Sequence, residues 1–230
     1  MTAPVDSDPD LGELPDDDTS ADGRYRTMLL AVLAVGVLCI GVTAGWIVGN
    51  RGGDGPTITD SSVDAGFARD MSTHHTQAVQ MAGYTRDRTS DPAIKLLAYD
   101  IETAQYVELG QMQGWLDGWD LPRAPDVPAM EWMTGHHHVL ANGLMPGMAS
   151  PAEIDKLETL TGKPLDIYFL QLMLRHHQGG LPMAQYAAIH AKQRYVRNLA
   201  GKMAQNQSNE IIQMEQQLRA RGASPLPPPD

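Results

Sequence analysis

The chain has one cysteine, Cys39, among 230 residues, so it can form neither an internal disulfide nor a thiolate metal cage. Basic residues are also scarce. Lys and Arg number 17 against 28 Asp and Glu, a formal charge of -11 that disfavours nucleic acid, because that affinity rests on cations neutralising phosphates. No stretch sustains the apolar–polar alternation of a half-buried strand. Nucleophilic hydrolysis lacks its signatures too: there is no Ser-centred elbow, no Gly-rich phosphate loop and no His-Glu-x-x-His. Any bound metal must therefore be held by side chains other than thiolates, and catalysis is not required to explain the sequence.

One long apolar run is present. Met28 to Val48 is 21 residues without a charge, enough at about 1.5 Å per residue to cross a roughly 30 Å hydrocarbon core. It exceeds the apolar region of a cleaved signal peptide and follows a long polar tail, which favours an uncleaved anchor over residues 27–49. Arg24 and Arg26 precede it and Arg51 follows, placing the N-terminus in the cytoplasm and the later residues outside the cell membrane. Residues 1–26 carry eight acids and little apolar bulk, the composition of a disordered tail. Residues 50–59 read as a Gly-rich linker, and 223–230 as a disordered, proline-rich end.

Helical signals fill residues 60–222. Ser61 or Ser62 can cap a first helix to about Arg88, and Asp91-Pro92 opens a second that ends near Gly118. Ser150-Pro151-Ala152-Glu153 has the form of a capping box before a short helix closed by Gly162. A third long helix starts at Pro164, with a kink expected around Gly179, Gly180 and Pro182, and a fourth runs from about Gln193 to Arg221. The reading is all-α: a four-helix bundle built from helix pairs, plus one N-terminal transmembrane helix.

Shifting the sequence by 102 residues aligns its halves without a gap, so 60–119 and 162–221 are repeated helix pairs. Asp64, Phe67, Met71, His74, His75 and Met81 meet Asp166, Phe169, Met173, His176, His177 and Met183. At about 100° per residue, each set falls within one face of roughly 120°. Glu108 and Glu210 match on the partner helices.

Methionine at helical spacing is ordinarily core packing, and Met112 and Met214 are read that way. Two adjacent His pairs, each flanked by Met and repeated, form a coherent imidazole–thioether donor set. The candidate metal ligands are His74, His75, His176, His177, Met71, Met81, Met173 and Met183. Asp64, Asp166, Glu108 and Glu210 are either ligands or acceptors that orient imidazole N–H groups. Thioether without thiolate favours copper, with zinc or iron as alternatives, although the di-iron Glu-x-x-His pattern is absent. Between the repeats Met130, Met133, His136, His137, His138, Met145 and Met148 form an unrepeated cluster. It is either a polar connection with incidental His or an accessory metal-loading site.

The segments FARDMSTHHTQAVQMA and FLQLMLRHHQGGLPMAQYA resemble the family catalogued as domain of unknown function 305, over about residues 60–221. The resemblance implies a ferritin-like domain, commonly exported, with some members linked to copper binding or tolerance. The expected function is a membrane-anchored, extracytoplasmic protein that sequesters or hands on copper. Two alternatives stand beside it. One is a non-catalytic subunit of a membrane complex or homo-oligomer, with the His pairs as a structural polar network, and the other a di-metal oxidoreductase.

Overall fold

The computed structural model describes residues 19–50, 57–124, 128–135, 139–140 and 143–227, and among these it contains six helices and no strand. Helix α1, Thr19–Asn50, carries the 22-residue apolar stretch Tyr25–Trp46, long and apolar enough to cross a membrane, with none of it buried within the protein. It begins at Thr19 rather than 27, because elongating an existing helix costs far less than starting one. It belongs to a first unit, residues 1–55; all other helices belong to a second, residues 56–230.

In the second unit, α2 (Val63–Arg88) packs along α3 (Pro92–Gly118), and α5 (Gly162–His190) along α6 (Arg194–Ala220). Helices α2 and α5 make the main contact between the pairs, and the short α4 (Pro151–Thr159) lies against both. The starts follow the chain's own chemistry. Ser62 accepts from the Ala65 N–H at 3.2 Å, and Asp91 caps α3 ahead of Pro92. The Ser150–Glu153 capping box is reciprocal, with Glu153 N–H donating to Ser150 Oγ and Ser150 N–H to Glu153 Oε2. Gly162 opens α5 with φ +59 instead of closing α4, which ends at Thr159.

The repeats are stapled to each other at their turns. Asp64, at the start of α2, accepts the N–H groups of Lys192 and Gln193 between α5 and α6, at 2.8 and 2.7 Å. Its counterpart Asp166, at the start of α5, accepts the Thr89 hydroxyl between α2 and α3, at 2.5 Å. Each carboxylate thus fixes the corner of the other helix pair.

Two apolar clusters result, and the 102-residue offset maps one onto the other. One contains Met81, Phe169, Met173 and Met214; the other Met71, Phe67, Met112 and Met183. The connecting segment closes the second cluster with Met130, Trp132, Met133 and Met145, all buried, so these residues are core and not an exposed polar connection. Asp70 holds that segment by accepting from Met130 N–H at 2.6 Å and Trp132 Nε1 at 2.7 Å. The end of the chain is ordered further than its composition implies. Ala223 and Leu226 pack on the first cluster, and Gln171 donates to the Ser224 carbonyl at 2.7 Å, so 223–227 is not a disordered tail.

Helix α5 continues through Pro182, and its glycines serve close approach rather than a break. A Cβ on Gly179 would lie 2.1 Å from the Pro146 carbonyl oxygen and 2.6 Å from Gly147 N. Because both obstacles are backbone, Gly179→Ala should lower stability by about 1–3 kcal/mol. Gly201→Ala, whose Cβ would make only an ordinary 4.0 Å contact with Ala188, should raise it by about 0.5–1 kcal/mol. Denaturant midpoints of the two variants against the parent chain check this; a neutral Gly179→Ala would contradict the packing.

Candidate metal centre

The pairing of α2 with α5 brings the four histidines together in the bundle interior, all of them buried. The His74 and His176 rings lie with centroids 3.8 Å apart, tilted by 38°, and His177 is 6.3 Å from His176. Small residues make this possible. A Cβ on Gly180 would sit 2.9 Å from the His74 ring, so α5 carries glycine where the repeat in α2 has Ala78.

Each imidazole places Nε2 on an oxygen acceptor. His75 Nε2 donates to Glu108 Oε2 at 2.8 Å, and His177 Nε2 to Glu210 Oε2 at 2.6 Å. His74 Nε2 donates to the Pro146 carbonyl and His176 Nε2 to the His74 carbonyl, both at 3.0 Å. The Pro146 and His74 carbonyls only accept, so the neutral His74 and His176 rings carry their proton on Nε2 and leave Nδ1 as a bare lone pair; neutral His75 and His177 do the same when Glu108 and Glu210 are ionised.

Those lone pairs have nothing to do. Nδ1 of His74, His75 and His177 are buried without a hydrogen-bond partner, as are Oε1 of Gln105 and Gln207. They are five of the six such side-chain atoms among the described residues, the sixth being Arg175 Nε. All five are Lewis bases, and leaving one buried and unpartnered costs about 1–3 kcal/mol. No group of three or more His, Cys, Asp or Glu already has metal-site spacing among the described residues. The interior is thus rich in electron-pair donors, two of whose rings are held by the outer carboxylates Glu108 and Glu210.

Burial sets the charge state. Loss of water pushes His74 and His75 down to about 3, aided by neighbouring His177, and holds His176 well below its ordinary value. Burial, and then the nearby Glu210, push Glu108 up to about 7. Neutral imidazole is the form that binds metal, so His74, His75 and His176 stay competent far into acid.

The other candidate residues are distributed differently. Met71 and Met183 lie in one apolar cluster and Met81 and Met173 in the other, all four buried. Glu108 and Glu210 orient imidazoles; Asp64 and Asp166 do not, being bonded at the helix corners instead. Met145 is buried and Met148 half-buried, while His136, His137 and His138 lie outside the described residues. Reading side chains alone missed Gln105 and Gln207, although both repeat at the offset that marks Glu108 and Glu210. It could not find the Pro146 carbonyl, a backbone group delivered by the connecting segment.

The fold and interior define a four-helix, ferritin-like bundle with a duplicated, buried imidazole cluster. The chain belongs to the family described as Domain of unknown function (DUF305), whose pattern matches residues 64–218. It is similar to a candidate secreted DUF305 protein from Streptomyces coelicolor, at 45% identity and a TM-score of 0.68, over 74% of this chain and 99% of that one. A DUF305 fragment from Deinococcus radiodurans is 31% identical, with a TM-score of 0.58 over 73% of this chain and 99% of its own. CopM in its Cu(I)-bound form is 28% identical, with a TM-score of 0.52 over 71% of this chain and 97% of that one. CopM is also known in a Cu(II)-bound form. No curated protein matches the chain.

The buried rings make stability depend on pH. Unfolded imidazoles titrate near 6.5, so the contribution of neutral His74 and His75 is complete above pH 6.5 and is lost as pH falls toward about 3, and that of His176, held well below its ordinary value, is lost in the same direction. Glu108 acts oppositely, disfavouring the fold as pH rises from 4.5 to about 7. Three imidazoles outweigh one carboxyl. The metal-free chain should lose on the order of 2 kcal/mol per pH unit near pH 5, seen as a falling Tm. A Tm that stays level from pH 7 to 4.5 would contradict neutral burial.

Proposed function

We propose that this protein is a membrane-anchored, extracytoplasmic metal-binding protein that takes up copper for sequestration or handover. The observation that carries this reading is the set of buried, unpartnered Nδ1 atoms on His74, His75 and His177, whose Nε2 positions are already fixed. An ion entering there would be held by imidazoles whose orientation Glu108, Glu210 and the Pro146 carbonyl set from behind, an arrangement common to metal-binding histidines. The methionines of the two apolar clusters supply soft, polarisable thioethers, and with imidazole they favour copper over harder ions. The copper-bound forms of CopM support the same cargo. Helix α1 supplies the anchor, with residues after 51 outside.

One observation favours a second reading. All four Nε2 atoms are satisfied without metal, so the histidines also work as a polar network that fixes how α2 meets α5. The protein would then be a non-catalytic component of a membrane assembly. A di-metal oxidoreductase has less support, because each carboxylate is committed to one imidazole.

The readings separate in a competition titration of the metal-stripped full chain, in detergent, with Cu(I), Cu(II) and Zn(II). The metal reading expects tight stoichiometric binding that falls at least a hundredfold when His74, His75, His176 and His177 are all changed to Gln. A companion variant with Met71, Met81, Met173 and Met183 changed to Leu should weaken Cu(I) and spare Zn(II). Absence of binding by the parent chain, together with a Tm indifferent to chelator, would replace copper handling with the structural network.

A further inference from the structure

Helix α3 leaves an apolar face exposed that the internal repeat shows to be unnecessary for the fold. Leu96, Tyr99, Tyr106 and Val107 are 60%, 52%, 63% and 62% exposed. With Thr103 and Gly110 they fall within one arc of about 100° on the helix. At the same offset α6 carries Asn198, Gly201, Gln205, Ser208 and Asn209 opposite Leu96, Tyr99, Thr103, Tyr106 and Val107. Both helices bury their other faces in the same way, with Gln105 and Met112 matching Gln207 and Met214. Where α3 has Gly110, α6 has Ile212, 54% exposed, so the equivalent helix in the same chain folds with an outer face that lacks an apolar side chain at five of these six positions.

The face on α3 is complementary to itself about Thr103. Leu96 lies seven positions before this residue and Gly110 seven after; Tyr99 lies four before and Val107 four after. Two copies of α3 laid antiparallel with the dyad at Thr103 set Leu96 of one against Gly110 of the other, and Tyr99 against Val107. There is room for the leucine, since a Cβ built on Gly110 meets nothing within 4 Å. Large against small in both directions is what an isologous twofold contact requires. Covering these side chains and the adjoining backbone buries about 500 Å² per copy, about 1,000 Å² in all, the lower bound of a specific interface.

We propose that two copies of this chain associate through the Leu96–Gly110 face of α3, packed antiparallel about Thr103. The contact is weak and depends on concentration. It is independent of metal, since none of its residues touches the histidines.

The test uses the full chain in detergent with Cys39→Ser, which removes its only thiol. Thr103→Cys places a new thiol on the dyad, and Gln205→Cys places one at the matching position of α6. With a short bis-maleimide, the position 103 variant should cross-link at least fivefold more than the position 205 variant. Adding Tyr106→Ser and Val107→Asn, the residues α6 carries, should reduce it to the control level with helical content unchanged. Equal cross-linking at both positions, none at 103, or cross-linking that survives the added substitutions would each overturn the dimer.

Discussion

Four imidazoles buried where α2 crosses α5 are the constraint from which the rest of the bundle follows. An imidazole out of water needs its N–H satisfied, and the only acceptors within reach are on elements that must be brought there. Glu108 comes from α3, Glu210 from α6 and the Pro146 carbonyl from the connecting segment, so one requirement gathers every part of the domain. Gly180 and Gly179 are its consequences, one admitting the His74 ring and the other the Pro146 backbone. The apolar clusters then form on either side, each closed by one helix pair's turn on the other pair's aspartate.

Satisfying Nε2 leaves Nδ1 bare, and this turns a structural device into a chemical one. A core built only for stability would pair both nitrogens or use apolar side chains, since unpartnered buried groups weaken a fold. Here five of the six unpartnered atoms share one chemistry, donation of an electron pair. The fold that carries these atoms is shared with DUF305 relatives, among them CopM in its Cu(I)-bound form.

Duplication supplies the architecture, and its breaches show where the two halves do different work. The Ala78–Gly180 exchange tightens one side of the histidine cluster, and Met203 stands where the other repeat has Ile101. The connecting segment adds Met130, Met133 and Met145 to one cluster only. Breaches on the surface carry information as well, because an exposed position is free of packing demands and α3 and α6 differ there most.

Much of this was legible in one dimension. The 3.6-residue period, the Ser150–Glu153 capping box, the Asp91-Pro92 start and the 102-residue repeat determined six helices and a twofold bundle, since each depends on neighbours in sequence. The same repeat picked out the His pairs and the glutamates. Tertiary structure alone decided which atoms of these residues are free. That Asp64 and Asp166 serve helix corners while Glu108 and Glu210 serve imidazoles depends on which helices touch, and both pairs look alike along the chain. The thioethers divide between two clusters, and Nε2 rather than Nδ1 is occupied, for the same reason: hydrogen-bond partners across 33 to 102 residues are set by packing, on which local periodicity is silent.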